Sequence, residues 1–160
     1  MKEQKGFSLI ELLIVVAIIL IIAAIANPNL MRSKMAANQS SAVGSLRTIN
    51  TAEVTYQTNY PAVGYATGLA NLGGADSSCT SATFASSTSA CLIDNTLAGG
   101  TKSGYVFSAT GGGGTPAVTY TSLATPQVPG QTGQNQYCSD QSGVLFYTNT
   151  GTCSNASTAL

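Results

Sequence analysis

The chain has no histidine and no tryptophan among its 160 residues, and 6 basic with 6 acidic side chains leave it a formal net charge of +0. Without histidine there is no imidazole general base and no histidine-activated nucleophile, and the acids are too scattered for a catalytic carboxylate pair, so enzymatic function is not expected. A neutral chain presents no basic footprint, and no nucleic-acid partner is expected. The gaps between Cys79, Cys91, Cys138 and Cys153 are far too wide for paired Cys-x-x-Cys zinc ligands. The glycine run Gly111–Gly114 lacks the Lys-Ser/Thr of a phosphate-binding loop and reads as a hairpin connection. Asp140, ahead of Gly143, reads as a turn former rather than a calcium ligand. No metal and no cofactor are expected. From Asp76 onward the only charged side chains are Asp76, Asp94, Lys102 and Asp140, so Ser, Thr, Asn, Gln and Gly must keep this portion in water.

What the chain does have is one long apolar run. From Phe7 to Ala26 it carries two polar side chains, Ser8 and Glu11. As a helix rising ~1.5 Å per residue this run is long enough to cross a hydrocarbon layer about 30 Å thick. Glu11 does not fit a plain anchor, because an acid at the centre of a span costs ~2.5 kcal/mol or more and calls for a partner. Cleavage after Gly6 would supply one, since the new α-amine of Phe7 lies about one helical turn from Glu11.

Lys5-Gly6-Phe7-Ser8-Leu9-Ile10-Glu11-Leu12, behind a short basic leader and ahead of Pro28, resembles the signal sequence of the type IV pilin and pseudopilin superfamily. The resemblance implies that a prepilin peptidase cuts between Gly6 and Phe7 and methylates the Phe7 amine. It implies further that Glu11 pairs with the amine of a neighbouring copy in a helical homopolymer. The inner membrane before assembly, an inner-membrane assembly platform and minor pilins are the other partners it implies. Leu46-Arg-Thr-Ile-Asn-Thr-Ala-Glu-Val-Thr-Tyr56 is similar to the helix of some major pilins. Gly104-Tyr105-x-Phe107, then a strand ending near Pro126, then Asp140-Gln-Ser-Gly143-Val144 resembles the globular part of the superfamily. One departure stands out: Phe7–Ala26 contains no glycine, so any melting of this helix in a filament must rely on Pro28. The function implied is a type IV pilus subunit, with the major pseudopilin of a type II secretion system as the alternative. Two other readings stay open at this point. A secretory signal cut after Ala24-Ile25-Ala26 would start the mature chain at Asn27, and an uncut anchor would start it at Met1.

All four cysteines lie beyond the apolar run, which points to disulfides in an oxidising compartment. Of the three pairings, the sequence-near one is expected: Cys79 with Cys91 and Cys138 with Cys153. Pro28 should kink or locally open the helix without ending it. Ala42, Leu46, Ile49, Tyr56 and Tyr60, flanked by Met35 and Val43, then form an apolar stripe that continues the helix to about Thr58. Asn38, Ser40, Ser45, Thr48, Thr51 and Thr55 are assigned to the opposite face, and Arg32, Lys34, Arg47 and Glu53 are read as solvated charges. The seven tyrosines are read as core packing rather than as an electron path. Residues 59–104 form a long connection that needs a staple, with one short helical turn around Leu69 and Leu72. Two hairpins follow, Tyr105–Ala109 with Ala117–Ser122 and Asn135–Ser139 with Val144–Thr148, while Leu123–Pro126 leads into a loop. The expected fold is α+β: a long N-terminal helix on a four-stranded antiparallel sheet, the pilin fold. Its expected segments are leader 1–6, assembly helix 7–28, and head 29–160 containing half-helix 29–58, loop 59–104 and meander 105–148.

Overall fold

A computed structural model of the chain describes residues 7–74, 79 and 85–160, with the side chains of residues 26–28 not described. The leader with Gly6, and Asp76, lie outside the described residues. Helix α1 runs Leu9–Asn59. Its backbone stays helical through Pro28, so the proline does not end it. The chain divides into two compact units, residues 1–34 and 35–160.

In the first unit the apolar side chains have nothing to pack on. Phe7 is 86% exposed, and Leu9 through Ile22 and Ile25 are exposed along the whole run. Among the described residues this is the one helix long and apolar enough to cross a membrane.

The second unit is built on the other half of α1. Ala42, Leu46, Ile49 and Tyr56 are buried, with Val43 and Tyr60 packed at the margin of the same core. Their three- and four-residue spacing keeps them on one face, and the sheet supplies the cover. Leu46, fully enclosed, is the test of that packing. Leu46→Ala is expected to lower stability by about 3 kcal/mol through lost transfer energy and the cavity left behind. Denaturant unfolding of the full chain in detergent measures it, and a loss under ~1 kcal/mol would mean that this face is not the core.

The sheet has six strands in sequence order, every neighbour antiparallel: β1 Thr101–Lys102, β2 Tyr105–Gly112, β3 Thr119–Pro126, β4 Gln136–Asp140, β5 Leu145–Thr148 and β6 Thr158–Ala159. The expected four-stranded meander is its centre, and two-residue strands extend it at both borders. β1 escapes a propensity reading because it is so short, yet its turn is specified. Ser103 and Gly104 have φ of 49° and 73°, so the hairpin closes through two residues in left-handed geometry and pairs Lys102 with Tyr105.

Leu123–Pro126, which by propensity leads into a loop, is strand, as the resemblance implies in ending a strand near Pro126. Tyr105 pairs with Pro126 and Phe107 with Ala124, the proline being tolerated because it closes the strand. The glycine run is a correction to the sequence reading, since Gly111 and Gly112 belong to β2, pairing with Tyr120 and Thr119. A Cβ at Gly111 would stand 2.8 Å from the Ala66 carbonyl oxygen and 2.9 Å from that of Tyr65, so the strand needs glycine where the 59–104 segment crosses it.

That segment is pinned at several points. It carries α2, Leu69–Leu72, and α3, Asn95–Ala98, which bury Leu69, Leu72 and Leu97 in the core. Asp94 caps α3 by accepting the Leu97 N–H and pairs with Lys102 Nζ at 3.0 Å. The Lys102 partner and the α3 amides together hold the Asp94 carboxyl below its usual range against the opposing effect of burial. Disulfide Cys79–Cys91 closes part of the same segment, its Cα atoms 5.5 Å apart. A second, Cys138–Cys153, ties the outer side of β4 to the chain beyond β5, with Cα atoms 5.8 Å apart.

Candidate functional site

The sequence points to the N-terminal turn of α1 as the site. Ser8 is the residue before the helix, and its N–H donates to Glu11 Oε2 at 2.9 Å. The Leu12 N–H returns to the Ser8 carbonyl at 3.2 Å. Ser-x-x-Glu at a helix start is a capping pattern in which the acid at the third helical position satisfies an otherwise unpaired amide. The sequence reading assigned Glu11 to an amine alone; the Ser8–Glu11 spacing carries the capping signal as well. In the single chain, then, the carboxylate already accepts one backbone hydrogen bond while remaining exposed.

The structure brings together Ser8 and Glu11, with Phe7 just before them, while Gly6 lies outside the described residues and nothing is described of the Pro28 side chain. The cysteines are remote in sequence from this turn and stabilise the head. Asp140 shapes the β4–β5 turn, Oδ1 accepting both the N–H and the hydroxyl of Ser142.

Asn38, Ser45 and Glu53, assigned to the polar face or to solvent, are not there, and Asn50 on the same helix also reaches the sheet. Ser45 is buried, and Asn38 donates to the Thr132 carbonyl at 2.9 Å, holding the 127–133 loop to α1. Asn50 donates to Ser139 Oγ at 2.8 Å, and that hydroxyl donates to the Val144 carbonyl at 2.8 Å, linking α1 to β4 and its turn. Glu53 is the largest departure. It is fully buried rather than solvated, with Oε2 accepting the Ala66 N–H at 2.8 Å. Burial drives its carboxyl up to about 7, opposed only in part by that hydrogen bond. The signal was present, since positions 42, 46, 49, 53, 56 and 60 are spaced by threes and fours and Glu53 completes the stripe.

The features so far define an α+β head on a long helix whose N-terminal half is apolar and unpartnered, with a capped acid at its start. Residues 1–27 match the prokaryotic N-terminal methylation motif. Over 54 residues the chain is 48% identical to the type IV major pilin protein PilA of Myxococcus xanthus, which covers 34% of this chain and 24% of that protein. Over 40 residues it is 55% identical to the type IV wide pilus major component PilA4 of Thermus thermophilus, covering 25% of this chain and 30% of that protein. The matched stretches thus span about a quarter to a third of these curated relatives. No solved structure matches the chain significantly. Motif and likeness, each confined to part of the chain, are to type IV pilins.

Proposed function

We propose that the chain is a prepilin whose mature form, beginning at Phe7, polymerises into a type IV pilus. The observation that carries this reading is the methylation motif over residues 1–27, within which the helix from Leu9 to Ile25 leaves every apolar side chain exposed. In the precursor, lipid of the inner membrane covers that surface. In the filament, the same surface of neighbouring copies covers it, so one apolar setting replaces another at little net cost. The head then lies outside the cytoplasm, where an oxidising compartment keeps Cys79–Cys91 and Cys138–Cys153 closed. Both curated relatives are major pilus components, which favours the pilus over the pseudopilus.

Within this reading Glu11 changes partner. In the lone chain it accepts the Ser8 N–H; in the growing filament it also balances the amine that peptidase cleavage exposes on Phe7 of an adjacent copy. The contact sets the axial register of one helix against the next. The chain acts as a building block and catalyses nothing, and the peptidase, assembly platform and minor pilins are its working partners.

The test is N-terminal sequencing and mass measurement of the polypeptide recovered from sheared surface filaments. An N-methylated Phe7 terminus is expected. A terminus at Asn27 or Met1, or filaments lacking this chain, would defeat the proposal.

A further inference from the structure

The buried acid of the head has no part in the reading above. Glu53 is enclosed between α1, the segment Val63–Ala66 and β3. Its Oε2 accepts the Ala66 N–H, while Oε1 is buried without a hydrogen-bond partner among the described residues. Among the described residues the titratable groups that feel it are tyrosines: Tyr56 from α1, whose ring lies 4.9 Å from that of Tyr60, and Tyr120 from β3, whose ring lies 4.8 Å from that of Tyr65. The single ion pair among the described residues is Lys102 with Asp94, so no cation is paired with Glu53. Asp140 adds negative charge that reaches Tyr120 from the other side. A carboxylate with one oxygen undonated and no counter-ion is poorly stabilised, whereas the neutral acid fits the site.

The segment that Glu53 holds is fastened elsewhere by backbone bonds and by the burial of the Tyr65 and Ala66 side chains. The Tyr65 N–H donates to the Ala117 carbonyl at 3.0 Å, and the Ala117 N–H donates to the Val63 carbonyl at 2.8 Å. Gly64 makes this possible. It sits at φ +83°, and a Cβ there would stand 2.1 Å from the Ala117 oxygen. Strand β2 closes the other side, leaving at Gly111 no room for a side chain beneath the Tyr65 and Ala66 carbonyls. The crossing segment is therefore a strap with an acid beneath it, its one side-chain hydrogen bond among the described residues being the Ala66 N–H to Glu53.

We propose that Glu53 is the catch of a proton-dependent latch: the neutral acid holds Val63–Ala66 closed on the helix, and its ionisation releases the strap so that water reaches both carboxyl oxygens. The sign follows from linkage. Closed, the group titrates near 7; open and hydrated, it returns to the ordinary value of 4.5. The closed form therefore holds the proton more tightly, its advantage is complete below about pH 4.5, and it is lost as pH rises through about 7. The open-to-closed ratio rises by on the order of 10² between pH 4.5 and 8. The latch belongs to the head and holds whether or not the chain forms filaments.

The experiment uses the full-length chain in neutral detergent micelles. Hydrogen exchange at the Tyr65 and Ala66 amides, corrected for intrinsic rates, should accelerate by about 10²-fold over that pH span. Glu53→Gln should hold the exchange flat with pH. Equal acceleration in both proteins would overturn the proposal. Should the glutamine variant not fold, the carboxyl carbon resonance of Glu53 in the unaltered chain decides: a midpoint near 7 supports the latch, and one in the ordinary carboxyl range sinks it.

Discussion

Glu11→Ala is expected to abolish surface filaments while the processed chain still accumulates in the inner membrane. Removing an acid from a span makes lipid a better host for the helix, by ~2.5 kcal/mol or more for a central position, so poor insertion cannot account for the loss. The structure adds a second role to separate out, because Glu11 also accepts the Ser8 N–H. Alanine deletes that cap, worth about 1 kcal/mol, as well as the charge. Glu11→Gln distinguishes the two, since glutamine at the same position can still accept from the Ser8 amide but cannot balance an ammonium group. Both variants should be cleaved at Phe7, and both should lack filaments by electron microscopy of sheared cells. Abundant normal filaments from Glu11→Ala would exclude the pairing; filaments from Glu11→Gln alone would make capping the essential role.

Opening the disulfides should produce the second large effect, this time on the head. Cys79–Cys91 spans 12 residues and Cys138–Cys153 spans 15. Loop-closure entropy assigns each on the order of 3 kcal/mol, and the two lengths differ too little to separate them. Packing separates them instead. Cys138 and Cys153 are both buried, whereas Cys79 is exposed and Cys91 only half-buried. The Cys138→Ser, Cys153→Ser double variant should therefore lose more stability than the Cys79→Ser, Cys91→Ser one, because it also opens a bond between two buried positions. Thermal unfolding of full-length protein in detergent, with and without a thiol reductant, measures both. An unfolding temperature indifferent to reductant would contradict the role assigned to these bonds.

The α+β class, the long helix and the central four strands were legible because each rests on a strong local pattern. The helix shows a period near 3.6, and Tyr105–Ala109 alternates buried and exposed side chains as a half-covered strand must. β1 and β6 were not legible, for two residues carry no periodicity. They exist because a left-handed Ser103-Gly104 turn and the chain beyond Cys153 bring them to the borders of a sheet already formed. By propensity alone Leu123–Pro126 leads into a loop, because proline is a breaker in general, though at the last paired position its missing N–H costs little; the resemblance, which implies a strand ending near Pro126, has it right. Of the N-terminal site, the acid and its place before an apolar run were plain from composition. Its bond to Ser8 required reading the capping spacing too. Glu53 was hidden by the habit of assigning a charged side chain to solvent, although the helical spacing already put it among Leu46, Ile49 and Tyr56.

The two-residue border strands carry a consequence for how copies meet. A long unpaired rim would offer backbone donors and acceptors to any similar rim, the usual start of uncontrolled stacking. Here the border strands Thr101–Lys102 and Thr158–Ala159 offer a newcomer two residues each, and one of them carries a lysine. If the chain polymerises as proposed, heads crowded along a fibre would meet with only these short border strands to pair through, which limits the fusion of one sheet with the next.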